Sequence, residues 1–150
     1  MGLIRGKFGL DDIAQQAVGG LLVGGPFIVT EEVWSIAAAM SIYNVITTFL
    51  IVIIMGYGIL YVAVLRDPKV EASIGGIIPL RFISLILIAY LSSITVATAT
   101  GTPSYFADSE KLPDIAWLTF KASTTIAIFT VMGAGTVDSV FGTPTEKEKK

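Results

Sequence analysis

The sequence contains no cysteine and no histidine. Without thiols there is no disulfide framework and no thiolate nucleophile; without imidazole the commonest general base and the usual zinc and haem ligands are missing as well. No H-E-x-x-H, G-x-S-x-G or phosphate-binding glycine loop stands in for them, so an enzyme is not expected. Charge is scarce too. Asp, Glu, Lys and Arg make up 15% of the 150 residues, against about a quarter in soluble domains. A net charge of −2, with no basic cluster interleaved with aromatic side chains, gives nucleic acid nothing to bind.

What remains is apolar: 53% of residues are hydrophobic and the mean hydropathy is +0.77. The length fits one domain without a linker. The N-terminal segment carries Arg5 and Lys7, but Asp11, Asp12, Gln15 and Gln16 interrupt the place where the apolar part of a signal peptide would run. It is therefore read as leading into the first helix.

Four apolar runs are long enough to cross a bilayer, which takes roughly 20 residues in a helix. The clearest, residues 41–65, has no charge, and the spacing predicts a helix over 42–66. A second run predicts a helix over 78–100, ended by the turn signal Gly101-Thr102-Pro103. A third predicts a helix over 114–141 and contains Lys121 and Asp138. The first run holds Glu31 and Glu32 in an apolar stretch. If it ended near Thr30, the next span would extend from Val33 to Leu65, well beyond the roughly 17 to 25 residues of one crossing. The expectation is therefore one helix over 11–38, kinked at Pro26, with a tight turn near Met40 and Ser41.

Basic residues fall before the first span (Arg5, Lys7), in the second connection (Arg66, Lys69, Arg81) and after the last span (Lys147, Lys149, Lys150); the first connection has none and the third has Lys111 among Asp108, Glu110 and Asp114. By the positive-inside rule this predicts both termini in the cytoplasm. The fold expected is all-α: a polytopic protein of the plasma membrane with four transmembrane helices and a polar tail over 142–150.

Ionisable groups at bilayer depth are expensive and usually face protein or water. Glu31, Glu32 and Lys121 fall at similar depth, so either a Glu–Lys pair fixes the packing or the two carboxylates, exceeding one ammonium, hold a proton or a cation. Hard oxygens suit divalent or monovalent ions, which makes Glu31 and Glu32 the candidate metal ligands. Asp138 is expected near Asp11, Asp12 and Arg81, as a salt-bridge partner of Arg81 or as a second ion site. At 100° per residue Glu31 shares a face with Gly20 and Gly24, whose G-x-x-x-G spacing lets helices approach closely. Ser92, Thr95, Thr98, Thr124 and Thr125 are candidates for lining a polar pathway. Equally, they can bond back to their own helices and only pack.

In the segment Pro26-Phe27-Ile28-Val29-Thr30-Glu31-Glu32-Val33-Trp34, preceded by Asp11-Asp12-Ile13-Ala14-Gln15-Gln16 and followed by Leu65-Arg66-Asp67, the chain resembles a prokaryotic family of integral membrane proteins of unknown function. The resemblance implies the topology and no activity. In size and in a first-helix Glu the chain is also similar to small multidrug exporters, which pair two four-helix subunits around a proton-coupled Glu; here the acids fall late in the helix and no aromatic cage follows. Four helices cannot enclose both a pathway and its gates. A homo-oligomer is therefore expected, with seams at the glycines of the first helix or at Gly133 and Gly135. The function expected is a cation channel or carrier with no cofactor other than a bound cation. A proton-coupled exporter of small organic molecules and a non-transporting scaffold are the alternatives.

Overall fold

Long uncharged runs leave the backbone one economical option in lipid, which is to satisfy its hydrogen bonds within each helix. The computed structural model describes the backbone of residues 9–66, 73–74, 78–107 and 111–141 and the side chains of residues 9–62, 80–107 and 111–137. Six helices result: α1 (Leu10–Ile28), α2 (Glu31–Ala39), α3 (Ile42–Arg66), α4 (Leu80–Ala99), α5 (Thr102–Phe106) and α6 (Leu112–Phe141). A minimal antiparallel ribbon, β1 (Ser73–Ile74) with β2 (Ile78–Pro79), joins α3 to α4.

Three of these helices, over Ile42–Val62, Leu80–Ala99 and Leu112–Val137, are long and apolar enough to cross a membrane; α1 and α2 pass the same test only as a pair bent by 81°, which is either a broken fourth span or a re-entrant loop. Many large apolar side chains point outward, among them Leu22, Ile46, Leu50, Ile54, Leu87, Leu91 and Phe129. In water such a surface would aggregate; against acyl chains it is the matched face. The protein is therefore an all-helical, polytopic membrane protein.

The longest helix, α6, packs against α1, α2, α3 and α4, while α1 and α3 each also contact α4. Two apolar clusters fill the interior. One joins Ile28, Val33, Trp34 and Ala37 to Ala97, Ala122 and Ile126. The other joins Val52 and Leu60 to Leu85, Ala89, Ala127, Val131 and Ala134. Gly101 takes a left-handed conformation (φ 70°), turning the chain out of α4, and Pro103 starts α5. That is the break signalled by Gly-Thr-Pro, since glycine adopts positive φ without a Cβ penalty and proline tolerates the first helical turn.

The first span differs from the continuous helix expected over 11–38. Pro26 lies inside α1, which runs on to Ile28, and the chain turns at Val29 and Thr30 instead. A proline removes one hydrogen bond but does not dictate where a helix ends. On either side of the turn the chain is in contact with α6, and Trp34 bonds back to Ile28.

The glycines of α1 are also placed differently from the seam between subunits that their spacing suggested. Gly20 faces Ser92, Gly24 faces Thr130, and Gly19 and Gly133 bring the α1 and α6 backbones into direct approach. Gly135 lies against Ile59 of α3. All of these close approaches are made within one chain, so this surface is already occupied.

Candidate functional site at the break in the first span

The bend places Glu31 and Glu32 in the first turn of α2. There the partial positive charge of the helix N-terminus favours carboxylates. Both side chains are exposed, in contrast to the protein-facing position expected from a straight helix. The reason is geometric: an 81° turn after Ile28 takes α2 off the face shared by Gly20 and Gly24.

Among the described residues neither carboxylate forms an ion pair within 4 Å. Lys121, expected as their partner, is 7% exposed and donates from Nζ to the main-chain oxygen of Ala38, 3.2 Å away. Ala38 lies in the last turn of α2, where main-chain oxygens lack partners within the helix and carry partial negative charge. The ammonium therefore neutralises a helix end rather than a carboxylate.

The other end of the break is held by Trp34, which is 1% exposed. Its Nε1 donates to the Ile28 oxygen at 2.6 Å, closing the C-terminus of α1, and its ring stacks on Phe106 with centroids 5.7 Å apart. The Thr30 hydroxyl donates to Phe27 oxygen at 2.8 Å, so no side chain caps the N-terminus of α2. Thr125, one turn from Lys121, donates to the Met40 sulfur at 3.3 Å and to Lys121 oxygen at 2.9 Å. Trp34 and Met40 carried no signal in the sequence for these roles; a lone tryptophan in an apolar run reads as lipid-facing or core alike.

The remaining polar residues separate into interior and exterior groups. Ser92 and Thr124 are buried. Thr124 donates to Phe120 oxygen at 2.9 Å and accepts from the Tyr90 hydroxyl at 3.2 Å. Ser93 and Thr130, which the sequence reading did not select, meet across α4 and α6 at 3.4 Å while donating back to Ala89 and Ile126. Thr95 and Thr98 are exposed, and Thr98 donates to its own helix at Ile94, 2.8 Å away. They do not line an interior path. Beside Thr95 an open groove of about 160 Å³ is lined by Ala17, Leu21, Ile88, Leu91, Ser92 and Thr95, too apolar to stay hydrated.

At the opposite end of α1, Asp12 accepts from the Gly9 main-chain N–H at 2.9 Å and from Arg81 Nη2 at 3.0 Å. The pair is largely enclosed, with the two side chains 9% and 17% exposed respectively. Gln16, fully buried, accepts from Ser84 at 2.9 Å one turn further on. Asp138 belongs to α6, but its side chain lies outside the described residues, as do the basic residues before α1 and the tail over 142–150.

Among the described residues no three acidic side chains gather closely enough to hold a metal ion. Glu31 and Glu32 would have to recruit water, main-chain oxygens or a second chain to complete a coordination shell. No curated protein and no solved structure is significantly similar to this chain. The match that does exist covers α1 through α4 and both flanks of the break: over residues 6–102 the chain belongs to the family described as "Putative integral membrane protein (DUF2391)".

Proposed function

We propose that this protein conducts or carries cations across the plasma membrane as a homo-oligomer, with Glu31 and Glu32 as the carboxylates that first meet the ion. The observation that carries this reading is the pair of adjacent, exposed acids at the break between α1 and α2, with no basic partner among the described residues, Lys121 being engaged by Ala38. Uncompensated carboxylates concentrate cations near them, and broken spans are where membrane transporters place ion sites. With both termini cytoplasmic, as the distribution of Lys and Arg predicts, the acids lie at the outer surface. A pathway between subunits suits the filled interior of the single chain.

A second reading, a scaffold that transports nothing, is favoured by the hydroxyls of α4 and α6, which mostly bond back to their own helices. A proton-coupled exporter is less well supported, because the acids stand at a helix end rather than on an interior face. Cation flux into proteoliposomes separates the readings. The wild-type chain should admit Na⁺, K⁺ or Ca²⁺ above the lipid background, and Glu31→Gln with Glu32→Gln should lower that flux at least tenfold. Flux unchanged in the double variant refutes the role of the acids; no flux in the wild type favours the scaffold.

A further inference from the structure

Residues Val29 and Thr30 contain neither glycine nor proline and hold ordinary negative φ angles of −93° and −88°. Nothing in their local stereochemistry requires a bend, and the alanine-rich segment after them is competent to extend α1. At nine residues, α2 is too short to be stable on its own strength, and its N-terminus has no side-chain cap. Its direction must be set by contacts from elsewhere. Trp34 closes the end of α1, which governs where the first helix stops. The far end of α2 is engaged by a single charged group, the Lys121 ammonium on Ala38 oxygen.

We propose that Lys121 is the positioning residue of the Glu31–Glu32 segment: its ammonium, carried on α6, occupies the cation-attracting C-terminus of α2 and so holds that half-helix at its angle to α1. A membrane-embedded ammonium is costly to keep; seated on the negative end of a helix dipole it has a compensating charge without a carboxylate. Neither Glu31 nor Glu32 is needed to compensate it. The inference concerns the direction of α2 and stands whatever Glu31 and Glu32 bind, so it can fail without the transport reading failing.

The absence of cysteine makes the test clean. Spin labels at Asp11→Cys and Ala39→Cys, both exposed, bracket the two helices. From lengths of 19 and 9 residues at an 81° bend, the ends are about 33 Å apart, whereas one straight helix through residue 39 would place them about 42 Å apart. In the full chain reconstituted in lipid, pulsed electron-spin distances should show one population near 33 Å. Lys121→Met should broaden it or move it toward about 42 Å, and Lys121→Arg should restore it. A Lys121→Met chain that keeps the short distance overturns the proposal. Should that variant not be recovered folded, Lys121→Gln, which keeps a donor and loses the charge, is measured instead. A shift supports the proposal and an unchanged distance overturns it; collapse of both neutral variants with Lys121→Arg intact would show a general packing need and overturn it too.

Discussion

Replacing Gly19 with Ala adds one methyl group at a point where two backbones meet. An ideal Cβ there would lie 2.8 Å from the Gly133 main-chain carbon and 2.9 Å from Val137 Cβ, and closer still to the Gly133 oxygen. Backbone cannot rotate away as a side chain can, so α1 and α6 must separate by several tenths of an ångström along a seam that also holds Gly20 and Gly24. Overpacking of this kind typically costs about 1 to 3 kcal/mol, and contact with backbone places this case at the upper end. Gly25→Ala is the internal control: its Cβ would meet only Val96 Cγ2 at 3.8 Å, an ordinary contact. There the helix propensity of Ala, worth up to about 1 kcal/mol over Gly, should dominate. The same chemical change is thus expected to have opposite signs six residues apart. Reversible unfolding in mixed micelles, followed by circular dichroism, measures both. Equal stability of the two variants would refute the close approach of α1 and α6.

Two further expectations follow from the charges. Breaking the Asp12–Arg81 pair with Arg81→Gln should destabilise the fold by about 2 to 4 kcal/mol, because it leaves a largely buried carboxylate uncompensated; the double variant with Asp12→Asn should recover part of that loss, and additive losses in the same unfolding assay would show the pair to be uncoupled. Single cysteines in place of Arg5, Lys69 or Glu148 should react with an impermeant reagent only from the cytoplasmic side and one in place of Asp108 only from outside, so labelling of position 69 from outside would overturn the orientation.

The uncharged run over residues 41–65 announced α3 through composition alone, because an apolar segment of that length has few other places to go. The bend at Val29 was not legible. Pro26, the one breaker nearby, drew the expectation of a kink, but the chain passes it and turns where tertiary bonds from Trp34 and Lys121 end one helix and seat the next. Local sequence holds no trace of a hydrogen bond from a residue 83 positions away. The same limit governed Glu31, whose assignment to the glycine face assumed unbroken helical phase. For the hydroxyls, helical phase is informative: Thr98 is nine residues from the fully buried Ala89, which at 100° per residue is half a revolution. It belongs on the outer side, whereas Ser92 and Ser93 belong within. Asp12 and Arg81 were legible as neighbours in depth; Asp138, expected beside them, has its side chain outside the described residues.

The central position of α6 has a consequence in time. Of the described helices it is the last to be made, yet it is the one against which α1, α2, α3 and α4 all pack. Roughly 110 residues separate the end of α1 from the end of α6, which at about 5 to 20 residues per second is some 6 to 20 seconds of synthesis. During that interval the glycine face of α1 has no α6 to receive it, and Lys121 has not yet reached α2. Until then the earlier spans can pair only through the α1–α4 and α3–α4 contacts, and the bundle closes once α6 arrives. Truncation within α6 would therefore leave inserted but incompletely assembled helices, the form that membrane quality-control proteases remove.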